Sequence, residues 1–265
     1  MQQLLDKTTE IVKKTGRYIA AQRKNFTRDS IIAKGPCDFV SYVDKNAEKM
    51  LVTDLTRLMP EAGFIAEEGT SSARGETYNW IVDPLDGTTN FIHGAPPYAV
   101  SVALMKEDET VLAVVYEITL GECFSSAVNL PVYCNDFEVT VSDVDTLSDA
   151  LIAIGFPLAD LEGRDVFIDI ITDLSQRTHG LRRPGSAATD LAYVACGRYD
   201  LFFQYNLQPW DVAAGAFLVR QAGGHCSDFT GGRNCIFGKE IVATNGLIHK
   251  ECLPQLACLH KARNV

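Results

Sequence analysis

Two aspartates, Asp83 and Asp86, stand three positions apart directly after the apolar run Trp80 to Val82, and a Gly-Thr-Thr sequence follows them. A strand that ends in this way directs both carboxylates toward one region, while free N–H groups of the following turn face an anion beside them. Carboxylate oxygens suit Mg²⁺ or Mn²⁺, and free N–H groups suit phosphate. The segment therefore predicts a metal and phosphate site. A simpler interpretation, in which Asp86 or Thr88 caps a helix, explains one Asp and one Thr but not the whole string.

Two further acidic segments accompany this one. Glu67 and Glu68 follow the short apolar run Phe64 to Ala66, and Asp211 lies in the first turn of a predicted helix rich in small apolar residues. Taken alone, the Glu pair suits a solvated loop and Asp211 suits a helix cap. Together with the aspartate pair they supply four or five carboxylates at the ends of apolar runs. Because so many like charges in one place are costly without cations between them, metal binding is the economical explanation.

Three segments, residues 64–69, 80–91 and 210–224, resemble the signature motifs of the inositol monophosphatase family. Members of that family are Mg²⁺-dependent and typically lithium-inhibited phosphatases. The resemblance extends from the N-terminal helix to Asn245, in the family's order and at its spacings. Its motifs are specific for the wider superfamily rather than for one substrate, because fructose bisphosphatases, phosphoadenosine phosphatases and some histidinol phosphatases share the metal site.

The resemblance implies two or three Mg²⁺ ions, with Mn²⁺ as a substitute. Their implied ligands are the carboxylates of Glu67, Asp83, Asp86 and Asp211 and the carbonyl oxygen of Leu85. Thr88, with Glu67, is expected to position and deprotonate the attacking water. A threonine hydroxyl is a poor base alone, and Asp44 matches the family position that accepts its proton or orients it. Asp44 also suits the N-cap of a helix that starts there, and the two roles are compatible.

The resemblance also implies a set of substrate contacts. They are Asp86, Gly87, Thr88, Thr89, Arg183, Gly185, Ser186, Ala187, Gln204 and Asp211. The amides of Gly87 and Thr88 are expected to bind the phosphate, and those of residues 185–187 to meet substrate hydroxyls. Arg183 is expected to contact either the substrate or a partner subunit. Lys34, in a Lys-Gly-Pro sequence, suits either a mobile loop that closes over the site or a plain surface lysine.

Gln204 departs from the family pattern, because inositol phosphatases usually carry a Glu seven residues before the aspartate of the Trp-Asp pair. An amide keeps an acceptor oxygen but loses the charge and gains donors. The expected function is hydrolysis of inositol-1-phosphate and related polyol or sugar monophosphates by metal-activated water. The alternatives are another phosphatase of the superfamily (for fructose-1,6-bisphosphate, phosphoadenosine phosphate or histidinol phosphate) and a partner protein of the transcription or RNA-processing machinery with residual phosphatase activity.

Composition favours an intracellular enzyme. The chain has 265 residues, is 46% hydrophobic and carries a net charge of −10, which argues against nucleic acid as a direct ligand. Its eight cysteines form no C-x-x-C pair and are expected to be reduced and mostly packed. The N-terminal residues lack a basic-then-apolar signal pattern, and no apolar run approaches the roughly 20 residues that span a bilayer. We therefore expect a cytoplasmic protein that does not enter membranes. The resemblance adds a homodimer that binds a small phosphorylated polyol or sugar.

Helices and strands are predicted to alternate along the chain. In the first half, helical spacing covers residues near 2–24 and 44–59, short strands cover 64–66 and 80–82, and a meander covers 100–104, 111–117 and 122–127. In the second half, strands are expected at 151–154, 201–204 and 241–244, with helices at 166–174, 186–196, from 209 to about 222, and from 248.

This alternation predicts a layered α/β sandwich. The resemblance implies the family's five layers, α-β-α-β-α, with the site between two halves. We place most metal ligands in an N-terminal half, residues 1–145, and Asp211 with the substrate contacts in a C-terminal half, residues 146–265. The two halves are expected to form one integrated fold.

Overall fold

A computed structural model describes residues 1–27, 31–35, 38–71, 73–156 and 162–263, without the side chains of residues 31–40. The described α-helices are α1 (Gln2–Arg23), α2 (Tyr42–Leu58), α3 (Thr88–His93), α4 (Arg164–Arg177), α5 (Ala187–Ala195), α6 (Pro209–Gln221) and α7 (His249–Arg263). The described strands are β1 (Ile31–Gly35), β2 (Asp38–Ser41), β3 (Gly63–Ala66), β4 (Tyr78–Asp86), β5 (Ala99–Lys106), β6 (Glu109–Glu117), β7 (Glu122–Ala127), β8 (Val132–Cys134), β9 (Phe137–Val139), β10 (Leu151–Ile154), β11 (Gly180–Arg182), β12 (Leu201–Tyr205), β13 (His225–Ser227) and β14 (Glu240–Thr244).

The larger sheet has seven strands in the order β3-β4-β5-β6-β7-β8-β9. Only β3 and β4 pair in parallel, and the remaining neighbours are antiparallel, which confirms the predicted meander. Side chains of β5 alternate between two cores: Val100 and Val102 enter one, while Ala99 and Ala103 enter the other. Because both faces of the strand are covered, its residues are apolar apart from Ser101 and the terminal Lys106.

The smaller sheet has five strands in the order β11-β10-β12-β14-β13. Strand β10 pairs in parallel with both β11 and β12, whereas β14 runs antiparallel to β12 and β13. The parallel pairs are linked by helical crossovers, as such pairs require. A separate hairpin, β1 with β2, precedes α2.

The elements stack in five layers, as expected from the resemblance. Helices α1 and α2 pack on the outer face of the seven-stranded sheet, α5 and α6 lie between the two sheets, and α4 and α7 cover the outer face of the five-stranded sheet. Each interface between layers encloses apolar side chains. The predicted α-β-α-β-α fold class is therefore confirmed.

The central layer explains the small residues of α6. A Cβ atom added at Gly215 would lie 2.4 Å from the Cβ of Leu191 on α5, so the two helices approach too closely for a larger residue there. Neighbouring Ala213, Ala214 and Ala216 are at most 1% exposed. Close packing between the sheets thus accounts for a pattern that the sequence showed only as a run of small apolar residues.

Two predictions about local structure need correction. The strand predicted to end at Val82 continues to Asp86, with a register shift between Asp83 and Asp86, because both residues still pair with β5. Lys34 was expected in a turn, but its backbone lies in β1. Residues 36 and 37 and the side chain of Lys34 lie outside the described part of the chain. The three-residue strands were missed because they are too short to show a period.

Two expectations drawn from composition, on membrane spans and on cysteines, can be compared with the structure. None of the helices in the described ranges is long and apolar enough to cross a membrane. The seven cysteines within those ranges are free thiols, of which Cys123, Cys226, Cys235 and Cys252 are buried. Cys37, the eighth, falls outside the description.

Candidate active site

Three aspartates converge where the two halves of the chain meet. Asp83, Asp86 and Asp211 each place a carboxylate oxygen within 4.8 Å of the other two. Asp83 and Asp86 come from the irregular C-terminal end of β4. Asp211 comes from the first turn of α6, where its Oδ2 accepts the backbone N–H of Gln208 at 2.7 Å. The fold therefore brings together carboxylates that are 125 positions apart in the chain.

Asp86 is oriented by groups from the second half of the chain. Its Oδ2 accepts the hydroxyl of Ser186 at 2.5 Å and the backbone N–H of Ala188 at 2.8 Å. Ser186 is also the N-cap of α5 and accepts the N–H of Thr189 at 3.3 Å. The positive end of α5 therefore stabilises this carboxylate and fixes its direction.

Burial, together with the charges of Glu67, Asp86 and Asp211, raises the pKa of Asp83 well above its usual range. Burial and the charge of Asp86 likewise raise the pKa of Asp211 well above its usual range. The pKa of Asp86 is raised by burial against the opposing effect of the hydrogen bond from Ser186. The cluster thus resists holding three negative charges at once without cations.

This donor set fits divalent cations with a preference for oxygen. Two carboxylates within 4.8 Å repel by roughly 3 kcal/mol at an effective dielectric constant of about 20, and a cation between them turns that repulsion into attraction. All the ligating atoms are oxygens, which suits Mg²⁺ or Mn²⁺ better than a thiophilic metal. The carbonyl of Leu85, expected as a ligand, accepts the hydroxyl of Thr88 at 3.0 Å and still has a second lone pair.

Glu67 lies at the edge of this cluster rather than among its three closest members. Its side chain is hydrogen-bonded to Asp83, and its charge raises the pKa of both Asp83 and Asp211. The turn that carries it is held from α2: the fully buried Glu48 accepts the N–H of Glu68 at 2.6 Å and the N–H of Thr70 at 2.7 Å. Glu68 is thus held through its backbone, outside the group of three aspartates.

Asp44 contacts both the start of α2 and Thr88, with one correction to the expected capping role. The N-cap of α2 is Ser41, and Asp44 is the third helical residue of a capping box, in which its Oδ2 accepts the N–H of Ser41 at 2.9 Å. Its Oδ1 lies 3.1 Å from the hydroxyl oxygen of Thr88 and accepts a hydrogen bond from it. Burial raises the pKa of Asp44 against the opposing hydrogen bonds from Ser41. Thr88 therefore has a buried carboxylate beside it that accepts its hydrogen bond.

A polar cavity of about 160 Å³ adjoins the aspartates. Its lining residues come from both sheets and the central helices: Asp86, Gly155, Arg183, Gly185, Ala187, Asp190, Gln204, Asn206, Leu207 and Asp211. It thus brings Arg183, Gly185, Ala187 and Gln204, all expected to contact substrate, beside two of the metal-ligand candidates. Thr89, the second residue of α3, is exposed. Gly87 precedes the helix with a φ of +86°, a conformation that favours glycine.

Three residues of the site were missed by sequence reasoning. Glu48 could have been found, because with Asp44 it places two acids four residues apart on the otherwise apolar face of α2. Asp190 is 1% exposed, its Oδ1 is without a hydrogen-bond partner in the described part of the protein, and burial and the charge of Asp86 raise its pKa well above the usual range. Asn90 links the two halves of the chain through backbone carbonyls. Asn90 belongs to the motif at residues 80–91, but the sequence does not show what its side chain binds, and Asp190 has no pattern that sequence alone reveals.

Fold and site together define a class: layered α/β proteins in which a carboxylate cluster suited to divalent metal lies between the end of a strand and the start of a central helix, beside a polar cavity. The family model described as "Inositol monophosphatase family" matches residues 1–262. The chain belongs to the inositol monophosphatase family, whose members are Mg²⁺-dependent.

Relatives and solved structures agree with this assignment over nearly the whole chain. The chain is 39% identical to Nus factor SuhB of Escherichia coli K12 over 97% of its own length and 96% of that protein. It is 36% identical to the inositol-1-monophosphatase of Mesorhizobium japonicum, covering 94% of each chain. The fold matches the suhB protein of Bartonella henselae with a TM-score of 0.89 at 37% identity, covering 96% and 98% of the two chains. It matches the IMPase of Thermotoga maritima with the same TM-score at 30% identity, covering 98% and 99%.

Proposed function

We propose that the protein is a Mg²⁺-dependent phosphomonoesterase that hydrolyses inositol-1-phosphate and related polyol or sugar monophosphates. The observation that carries this proposal is the convergence of Asp83, Asp86 and Asp211 within 4.8 Å, next to the Asp44–Thr88 contact. Proteins with purely structural acidic residues have no need to force such carboxylates together. Membership of a phosphatase family supports the same conclusion.

Glu67, Asp83, Asp86, Asp211 and the carbonyl of Leu85 would hold two or three Mg²⁺ ions. When bound, the metal supplies charge neutralisation at the phosphate and activation of water. These ligands come from both halves of the chain. The packing of α6 against β4 therefore determines where the phosphate of a substrate would lie relative to them.

The proton is handled by the chain's own groups. The hydroxyl of Thr88 lies within hydrogen-bonding distance of both Asp44 Oδ1 and the carbonyl of Leu85. We infer that Thr88 accepts a hydrogen bond from the attacking water and passes its own hydrogen toward Asp44. Glu67, beside Asp83, is the second group placed to orient this water. The amides of residues 87–89 at the start of α3 are assigned to the phosphate oxygens.

The alcohol part of the substrate is assigned to the polar cavity. Gln204 and Arg183 line it with side chains that carry donors, Gly185 and Ala187 also line it, and the N–H groups of residues 185–187 are assigned to substrate hydroxyls. A cavity with this lining favours a leaving group rich in hydroxyls over an apolar one, because each buried polar group otherwise lacks a partner. This supports a polyol or sugar phosphate as the substrate class.

The test is kcat/KM for a panel of esters, measured in Mg²⁺ and in EDTA. The panel contains inositol-1-phosphate, glycerol phosphate, a nucleoside monophosphate, fructose-1,6-bisphosphate, phosphoadenosine phosphate and histidinol phosphate. Mg²⁺-dependent turnover of inositol-1-phosphate within a broad profile is expected. A strong and exclusive preference for one of the last three would reject the inositol assignment and keep only the phosphatase class.

A second candidate is a binding role in the transcription or RNA-processing machinery. It is favoured by the relatives named Nus factor SuhB, at 39% identity over nearly the whole chain. The same ester panel separates the two candidates. Protein that is folded and binds Mg²⁺, yet hydrolyses none of the esters, would favour the binding role.

A further inference from the structure

We propose that Asn90 is a positioning residue that ties residues 183–186 of the second half of the chain to the metal-ligand segment of the first. Through this tie it sets how well the alcohol part of the substrate is held. The inference deepens the proposed phosphatase function and, in its effect on substrate recognition, rests on it.

The side chain of Asn90 connects two loops that are distant in sequence. Its Nδ2 donates to the carbonyl of Pro97 at 2.8 Å and to the carbonyl of Pro184 at 2.8 Å. A primary amide nitrogen carries two hydrogens, so both are used. Asn90 lies in α3, four residues after Asp86, whereas Pro184 is 94 positions further along the chain. One amide therefore joins the segment that carries the aspartates to the segment that borders the polar cavity.

Residues 183–186 are held at two points, both from the first half of the chain. The carbonyl of Pro184 is held by Asn90, and the hydroxyl of Ser186 donates to Asp86 Oδ2 at 2.5 Å. Between these points Gly185 has a φ of +95°, and a Cβ atom added there would lie 3.1 Å from Asn90 Nδ2. The backbone of this segment thus approaches Asn90 so closely that only glycine fits without displacement.

The tie determines which way the peptide group between Pro184 and Gly185 faces. Across a trans peptide bond the carbonyl and the N–H point in opposite directions, so fixing the Pro184 carbonyl also fixes the Gly185 N–H. Gly185 and Arg183 both line the polar cavity. Loss of the Asn90 donors should therefore free this peptide group and Arg183, while the three aspartates keep their own partners.

The first experiment compares Asn90→Ala with the wild type on inositol-1-phosphate and on p-nitrophenyl phosphate, whose leaving group has no polyol hydroxyls. We expect KM for inositol-1-phosphate to rise about tenfold, with kcat for p-nitrophenyl phosphate and the Mg²⁺ concentration for half-activation within about twofold of wild type. Asn90→Leu keeps a similar shape without donors or added charge, and should behave alike if the alanine variant does not fold.

Asn79 offers a matched control. Its amide donates to the carbonyl of Gly75 and its oxygen accepts the N–H of Gly75, both at 3.0 Å, at the opposite end of β4 from Asp86. Asn79→Ala therefore removes a similar pair of hydrogen bonds from a turn within one half. It should lower thermal stability without changing the ratio of KM values for the two esters.

Hydrogen exchange measured by mass spectrometry tests the tie without reference to catalysis. Amides of residues 182–186 should exchange faster in Asn90→Ala than in the wild type and at the wild-type rate in Asn79→Ala. Unchanged exchange there would overturn the tie itself. Faster exchange with an unchanged KM ratio would overturn its role in recognition. If the wild type hydrolyses no ester in Mg²⁺, the proposed function fails, and the role in recognition fails with it, while exchange still decides the tie.

Discussion

Buried carboxylates occur in two contrasting surroundings in this protein. Glu117 accepts the N–H of Thr119 at 3.0 Å and the N–H of Leu120 at 2.6 Å, and Asp200 accepts the N–H of Leu151 at 2.6 Å and the hydroxyl of Ser142 at 2.5 Å. Each of these acids faces donors. Such carboxylates stabilise turns and connections, and they need no cation.

The aspartates at the junction of the two halves also accept hydrogen bonds, but they face one another as well. Burial raises the pKa values of Asp83, Asp86 and Asp211, and the charges of neighbouring carboxylates raise those of Asp83 and Asp211 further. A folded chain keeps such an arrangement when a ligand offsets its cost. The comparison teaches that burial of an acid is not by itself a sign of function. Like charges without enough donors between them are the informative feature.

The strongest test of this contrast compares the variant Asp86→Asn with the variant Glu117→Gln. Asp86→Asn should lower Mg²⁺-dependent turnover at least about a thousandfold, because it removes charge from the metal site. In EDTA the same variant should be more thermally stable than wild type, since one repelling charge is gone. Turnover is measured by ester hydrolysis, and thermal stability by calorimetry or circular dichroism on heating.

Glu117→Gln is the control for that experiment. It should lose about 1–3 kcal/mol of unfolding free energy in EDTA and in Mg²⁺ alike, because it weakens hydrogen bonds that no cation touches. Its Mg²⁺ dependence should stay that of wild type. Near-normal activity of Asp86→Asn in Mg²⁺ would show that the assigned metal site is wrong.

Thr88→Ala separates proton handling from metal binding at the same site. It removes the hydroxyl that contacts Asp44 but no negative charge, so kcat should fall about 10²- to 10⁴-fold with little change in Mg²⁺ affinity. Initial rates measured over a Mg²⁺ titration give both values. A collapse of Mg²⁺ affinity together with kcat would mean that Thr88 has been given the wrong role.

The contrast also predicts how stability depends on pH without metal. The folded-state pKa values of Asp83 and Asp211 are raised above those of the unfolded chain, so proton binding favours the folded state. This contribution is complete below about pH 4 and is lost as the pH rises through the raised values, at about 1.4 kcal/mol for each unit of difference. In EDTA, the two aspartates should therefore make the unfolding free energy fall as the pH rises above about 4.

Mg²⁺ competes with those protons, so the stabilisation it gives should grow with pH over the same range. The measurement is the melting temperature against pH in EDTA and in Mg²⁺, for wild type and for Asp83→Asn. An Mg²⁺-induced shift that does not vary with pH would contradict the proposed competition.

Gln204→Glu is expected to have the smallest effect, because Gln204 lines the cavity assigned to the alcohol part of the substrate and is not an expected metal ligand. Restoring a charged acceptor for a substrate hydroxyl should shift preference toward inositol-1-phosphate several-fold in kcat/KM, which corresponds to about 1 kcal/mol. The comparison is with glycerol phosphate under the same conditions. Equal changes for both esters would place Gln204 outside the recognition of the polyol.

Much of the fold was predictable because its signals are local. The strand at Leu151–Ile154 and the meander of β5–β7 follow from apolar runs bounded by polar turns. Helix α6 was recognisable from its start at Pro209 and its small residues. The strands of three residues and the hairpin of β1 with β2 were not predicted, since pairing with distant partners rather than local pattern stabilises them.

The site likewise has features that the sequence predicts locally and features that depend on distant contacts. The sequence by itself determined which residues are suited to the proposed chemistry: Asp83, Asp86 and Asp211 have side chains suited to a hard cation, and their motif order indicates a phosphatase family. Only the tertiary structure decided how these groups are held. Ser186 on Asp86, Thr88 on Asp44 and Asn90 on Pro184 are contacts between positions 44 to 100 residues apart. No local pattern encodes them, because a hydrogen bond between distant elements depends on how the layers pack, whereas a carboxylate's preference for a cation belongs to the residue itself.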